Sequence, residues 1–307
     1  MTMHYSVLLN ESIEGLNIRP DGIYVDCTLG YAGHSKEILK RLKSGHLYAF
    51  DQDKEAISYA DKVLASIGDN YTIIHSNFVN LSEELHKLGV EHVDGILFDL
   101  GFSSPQIDNP ERGFSFMKDG SLDMRMDQDQ SLSAYDVVNK YKESDLVNIF
   151  YKYGEEKFSR SIAKNIIKNR PINSTLELVE VIKTSVPYKY EITRHPEREI
   201  FQAIRIEVNH ELSVLEDVLP QSINILNKGG RISVITFHSL EDRIAKQIFK
   251  ANSEVNQVFS GLRDEEIPEN YKPKLKLINK KPILASEKEL LENSRSKSAK
   301  LRIVERV

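Results

Sequence analysis

Three carboxylates stand out in the first hundred residues by what surrounds them. Asp26 leads into a small-residue turn, Asp26-Cys27-Thr28-Leu29-Gly30-Tyr31-Ala32-Gly33-His34. Such a turn lets a ligand approach the backbone, and a helix that follows offers unpaired N–H groups. Asp51 lies 21 residues after Gly30. A carboxylate at about that spacing is placed to accept both ribose hydroxyls of an adenine nucleoside. Asp53, directly before Lys54, reads as a helix cap instead. The third, Asp99, opens Asp99-Leu100-Gly101-Phe102-Ser103-Ser104-Pro105-Gln106, a set of acceptors and hydroxyls at a place where open α/β sheets bind ligands. Turns of Gly, Ser and Pro also form only to bend the chain, so each segment gains weight from the others.

These side chains need strand ends to carry them. Apolar runs at Ile23–Cys27, Leu47–Phe50, Tyr71–His75 and Val93–Leu100 read as strands. Between them Ser35–Leu42, Lys54–Ile67 and Asn80–Leu88 have helical spacing, giving β-α-β-α-β-α-β and hence a mostly parallel sheet with helices on both faces. Past Leu100 the stretch Gly101–Gln130 is loop-like, and Ser144–Tyr153, Glu156–Asn169 and Thr175–Thr184 follow as candidate helices. A long amphipathic stretch, Phe201–Leu226, stops at Lys228-Gly229-Gly230, and Arg231–Phe237, Leu275–Asn279 and Lys300–Val307 complete the sheet. The expected organisation is an α/β domain formed by residues 1–105 and 201–307, interrupted by a mainly helical insertion, 106–200, that recognises substrate.

The charges sum to 41 − 46 = −5, so no overall basic excess announces a polyanion. Locally, residues 270–307 hold 11 Lys or Arg against 4 Asp or Glu, a basic tail on an acidic body. The single cysteine, Cys27, rules out an internal disulfide and Cys-rich metal sites. With no signal-like N-terminus and no long apolar run, a cytosolic protein without a membrane segment is expected.

The turn falls short of G-x-G-x-x-G, and no Gly-Lys-Ser/Thr follows it, which disfavours a nicotinamide site or a P-loop. A nucleoside carrying a sulfonium and no pyrophosphate suits it better, and this points to S-adenosylmethionine. Phe78, after the third strand, is a candidate to lie against adenine, although an aromatic there also suits the core.

Six blocks then make a resemblance specific. They are the turn Asp26–Gly30 with Gly33-His34, the Asp99–Gln106 segment, Glu111-Arg112-Gly113-Phe114-Ser115-Phe116, Leu122-Asp123-Met124-Arg125-Met126-Asp127, Tyr153-Gly154-Glu155-Glu156, and Phe237-His238-Ser239-Leu240-Glu241-Asp242-Arg243. In order over nearly the whole chain, and with Ser298-Ala299-Lys300-Leu301-Arg302 near the end, they resemble the bacterial ribosomal RNA small-subunit methyltransferase H family. The resemblance implies a class I, Rossmann-like S-adenosylmethionine-dependent methyltransferase with an inserted helical domain. Its implied reaction is methylation of N4 of a cytidine in the decoding region of 16S ribosomal RNA. Implied cofactor contacts are Ala32, Gly33, His34, Asp51, Phe78, Asp99 and Gln106. Two departures stand out. Tyr31-Ala32 replaces the usual paired glycines, and Glu199 takes the place of an Arg, with Arg198 one position early.

Amino methylation requires the N4 lone pair to be turned out of conjugation, so acceptors for the amino hydrogens matter more than a strong base. Asp99, Ser103, Ser104 and the carbonyls around Pro105 are the candidates. Carbon-5 methylation would instead need a nucleophilic cysteine, and Cys27 sits beside the cofactor turn, where it reads as core. The target base must leave its stack, and Phe102 or Phe114 could receive it, unless both are core. Arg112, Arg125, His238 and Arg243 are candidate contacts to the RNA of the small subunit or its precursor. Lys157, Arg160, Lys164 and Lys168 share one helical face, which reads more simply as solvated surface. Three rivals stay open: a paralogous enzyme with another RNA or amine acceptor, a non-catalytic nucleoside-binding assembly factor, and a nicotinamide oxidoreductase. Oligomeric state is not legible, and a homodimer stays open.

Overall fold

The computed structural model describes residues 6–255, 257–259 and 261–307. The chain divides into two compact units, one of residues 1–101 and 212–307, the other of residues 102–211.

The first unit is built on a seven-stranded sheet of β1 (Ile23–Asp26), β2 (His46–Asp51), β3 (Tyr71–His75), β4 (Val93–Asp99), β5 (Leu226–Thr236), β6 (Leu275–Leu277) and β7 (Lys300–Arg306). Their spatial order is β3-β2-β1-β4-β5-β7-β6. The first five pair with one another in parallel, whereas β7 runs antiparallel to both β5 and β6. Parallel neighbours need crossovers. These are supplied by α2 (Gly33–Leu39), α3 (Lys54–Ala65) and α4 (Leu81–Lys87), with α1 (Leu9–Gly15) preceding β1.

Because successive strand residues face opposite sides, one strand feeds two cores. Val25, Phe50 and Phe98 pack with Leu81 and Leu85 of α4 on one side, and Tyr24, Ala49 and Leu97 pack with Ile38 of α2 and Leu64 of α3 on the other. The strand ends carrying Asp26, Asp51 and Asp99 are therefore anchored from both faces. The α/β class and the mostly parallel sheet agree with the expectation from the alternating pattern.

The second unit contains α5 (Ser104–Asp108), α6 (Ala134–Lys140), α7 (Glu143–Lys152), α8 (Ser159–Lys168), α9 (Thr175–Lys183), α10 (Tyr188–Arg194) and α11 (Pro196–Asn209). Val137, Phe150, Ile162, Ile166, Leu178 and Ile204 meet in its core, all fully buried. The three expected helices correspond to α7, α8 and α9. The start of α8 comes later than Glu156 because the Glu156 carboxylate turns back to accept the Phe158 N–H at 2.7 Å.

The expected continuous helix over Phe201–Leu226 is instead two, α11 and α12 (Glu211–Ile225), separated at His210, whose φ of 52° is left-handed. Helix α12 then gives way directly to β5, and Lys228-Gly229-Gly230 lies where the β4–β5 register shifts between Val93 and Gly95. The remaining helices are α13 (Ser239–Ser253) and α14 (Glu287–Glu292). Among the described residues no helix is long and apolar enough to cross a membrane.

Candidate functional site

At the end of β1 the buried Asp26 carboxylate organises the turn that follows. It accepts the Thr28 N–H at 3.0 Å and the Ser35 hydroxyl at 2.7 Å, tying the turn to the first residues of α2. Thr28 Oγ1 in turn accepts the Asp99 N–H at 2.7 Å, so the same turn fastens the end of β4. The end of β2 is held likewise. Asp51 accepts the N–H groups of Gly30 and Asp53, both at 2.8 Å, and Asp53 caps α3 through the Glu55 N–H, as expected. Burial raises the Asp51 carboxyl to about 6 against the pull of those N–H groups.

The small residues of the turn do different jobs. Ala32 is buried and left-handed, at φ 61°. A Cβ on Gly33 would stand 1.8 Å from Ser6 Oγ, so the close approach there is made by the chain's own N-terminal segment. Over Gly30 a Cβ would meet nothing nearer than the Thr28 carbonyl at 3.9 Å. Room for a ligand thus lies at Gly30.

His34 and Asp99 form the centre of this region. His34 is buried, with Nε2 3.2 Å from the Val7 carbonyl and Nδ1 3.5 Å from Asp99 Oδ2. A carbonyl can only accept, which places a proton on Nε2. Asp99 Oδ1 is buried and has no hydrogen-bond partner among the described residues. Burial pushes the Asp99 carboxyl up to about 6, with His34 opposing the rise and Asp26 and Glu241 adding to it. Phe78 is half-buried, its ring edge-on to Phe98 at 5.7 Å. Asp51, Gly30, His34 and Asp99 therefore meet at the carboxyl ends of β1, β2 and β4, the edge where such sheets bind nucleosides. An unsatisfied buried oxygen, acidic groups and an open glycine fit a cationic nucleoside such as S-adenosylmethionine.

In the helical unit Gln106 is buried, and its Oε1 accepts the Ser103 N–H at 2.8 Å, closing the start of α5. Ser103 Oγ is buried with no hydrogen-bond partner among the described residues, and Pro105 occupies the first turn of α5. The side chain of Ser104 lies outside the described residues. Phe102 has the Phe114 ring at 5.7 Å and the Arg205 guanidinium at 4.8 Å, the latter fixed by two bonds to Glu211 at 2.8 and 2.9 Å.

Several of the expected RNA contacts have partners within the chain or are buried. Phe114 is buried in the helical core. Arg112 is also buried, its Nη2 donating to the carbonyls of Arg125 and Met126 at 3.0 and 3.3 Å. Arg125 pairs with Asp123 at 2.7 Å and donates to the carbonyls of Gln128 and Gln130. Both arginines brace a loop too irregular to satisfy its own carbonyls. His238 is the N-cap of α13, with Glu241 accepting the Phe237 N–H at 2.8 Å. Arg243, one turn on, is exposed. The residues that sequence reasoning passed over are Thr28, Glu241 and the pair Asp242–Arg302, which joins α13 to β7 at 2.7 Å. That pair had a visible trace, because the Asp242 and Arg302 segments both belonged to the recognised blocks.

A protein named ribosomal RNA small subunit methyltransferase H from Exiguobacterium sibiricum is 55% identical over 311 residues, covering 100% of this chain and 99% of that one. An rRNA methylase from Streptococcus thermophilus is similar in structure, with TM-score 0.43 and 11% identity over 99% of each chain. A Streptococcus mutans protein in complex with SAH has TM-score 0.44 and 11% identity, over 99% of this chain and 100% of that one. The family model described as MraW methylase family matches residues 1–307, end to end, and with the close relative it establishes that the chain belongs to the MraW methylase family.

Proposed function

We propose that the chain methylates the exocyclic N4 of a cytidine in the decoding region of 16S ribosomal RNA, within the small subunit or its precursor in the cytosol. S-adenosylmethionine is the methyl donor, supplying an electrophilic methyl on a sulfonium. Asp51 would hold its ribose hydroxyls, Phe78 would lie against its adenine, and His34 and Asp99 would flank it.

The observation that carries the reading is Asp99, whose Oδ1 is buried at the end of β4 with no hydrogen-bond partner among the described residues. A carboxylate there can accept an amino hydrogen of cytosine, turning the nitrogen lone pair toward the methyl and taking up the proton as the nitrogen is alkylated. Ser103, Ser104 and the carbonyls around Pro105, which follow Asp99 in the chain, are further orienting groups in this proposal. Cys27 weighs against carbon-5 chemistry. It is buried, and burial, aided by the Asp26 charge, raises its thiol well above the ordinary value, whereas a nucleophile must be a thiolate.

Nucleoside mass spectrometry of 16S ribosomal RNA from matched strains with and without the gene tests the proposal. N4-methylcytidine is expected to disappear with the gene and to return with the wild type but not with Asp99→Ala. An unchanged N4-methylcytidine level would move the reading to another acceptor.

A further inference from the structure

The helical unit carries a row of cations that its own structure leaves unanswered. Arg160, Lys164 and Lys168 recur every four residues along α8 and so share one side of it, and Lys157 stands two residues before its start. All four are exposed, and the segment Ser159–Lys168 has no acidic residue. None of them is paired with a carboxylate among the described residues. Exposed Lys40, Lys87 and Lys140, by contrast, each have one at 2.7, 2.8 and 2.6 Å respectively. A row that is merely solvated gains a little from such pairs, and this one forgoes them.

The other side of α8 fixes the row in place. Ile162, Ala163 and Ile166 are fully buried, and Asn165 Nδ2 donates to the Val181 carbonyl of α9 at 3.0 Å and to Ser185 Oγ just beyond that helix at 2.9 Å. Lys157 Nζ stands 4.3 Å from the centre of the Tyr190 ring and 5.0 Å from that of Phe158. The Tyr190 hydroxyl is held by both Glu156 oxygens at 3.0 Å. A cation row thus ends beside a fixed aromatic pair.

We infer that this face of α8, with Lys157 and Tyr190 at its end, docks the phosphate backbone of the RNA that the enzyme modifies. The inference rests on the RNA reading above and assigns a binding surface to it. Positions four apart on a helix advance about 6 Å, a periodic array suited to a strand with one charge per nucleotide. Aromatics next to such an array are the usual platform for an unpaired base. An anionic membrane fits less well, because surface-bound helices turn apolar side chains toward lipid and those of α8 are buried in the unit.

The test is binding of a labelled single-stranded RNA of the 16S decoding region, followed by fluorescence anisotropy across a salt series. Wild type is compared with Arg160→Glu/Lys164→Glu, with the milder Arg160→Gln/Lys164→Gln, and with Lys43→Glu/Lys62→Glu as a control of equal charge on the sheet unit. The Glu pair is expected to weaken binding by about tenfold or more. Its plot of log K against log salt should be shallower by about 1.4, the loss of two phosphate contacts to a single strand. The Gln pair should show a smaller loss with the same change of slope, and the control should stay within about twofold of wild type. Equal affinity and slope for wild type and the Glu pair would overturn the inference. So would an equal loss in the control, or binding to anionic vesicles but not to RNA. Wild type that binds no RNA would also overturn it, while the cellular nucleoside measurement would still judge the proposed reaction separately.

Discussion

His34 Nδ1 lies 3.5 Å from Asp99 Oδ2 while the opposite ring nitrogen is committed to the Val7 carbonyl at 3.2 Å. With Nε2 protonated, Nδ1 either presents a lone pair to a protonated Asp99 or carries a proton toward an ionised one.

The pH dependence of Asp99 follows with a definite sign. Its folded value of about 6 lies above the ordinary one of about 4. A carboxyl raised on folding contributes stability below its unfolded value, and that contribution is lost as the pH rises through about 6. Asp99→Asn should therefore gain melting temperature relative to wild type between pH 4 and pH 8. Methyl transfer should run the other way, rising about tenfold per pH unit below 6 and levelling off above about 7 as the carboxylate forms. A flat rate profile from pH 5 to 8 would remove Asp99 as the accepting group.

Asp51 serves the cofactor region twice, as acceptor for Gly30 and as the expected ribose ligand. Replacing it by Asn puts an NH2 where one of two N–H groups now points, so SAH affinity measured by calorimetry should fall by about tenfold or more. Asp53→Ala removes the α3 cap. It should cost about 1 kcal/mol of stability and leave SAH affinity within about twofold of wild type.

Asp242 titrates in the opposite sense to Asp99. Burial works to raise its carboxyl, but the hydrogen bonds and charges of Arg302 and Lys300 outweigh it and hold the group below its ordinary value. That stability is present above about pH 4 and is lost as the pH falls. Asp242→Ala should cost about 1–3 kcal/mol at pH 7 by chemical denaturation, and the deficit should shrink at pH 3. A deficit that stays constant with pH would mean that packing, not charge, holds α13 to β7.

What could be read without coordinates followed from local periodicity. The sheet alternation placed Asp26, Asp51 and Asp99 at strand ends, because strand, turn and helix each have a short-range signature. The break at His210 left no such trace, since a histidine sits comfortably inside a helical pattern and its φ of 52° appears only in the fold. Long-range bonds were equally silent. Thr28 and Asp99 are joined across 71 residues, and nothing near either one announces the other. The surroundings of the arginines were silent for a related reason. Arg112 has the chemistry of a phosphate ligand, yet the irregular loop beside it needed donors for its own carbonyls.

The place of β7 in the sheet bears on quality control. Lys300–Arg306 pairs with β5 on one side and β6 on the other, so it is an interior strand. A chain cut before Lys300 would lose both ladders at once and expose two unpaired strand edges, the kind of surface that recruits other chains into aggregates. Proteolytic trimming of this segment would convert the protein into a substrate for chaperones.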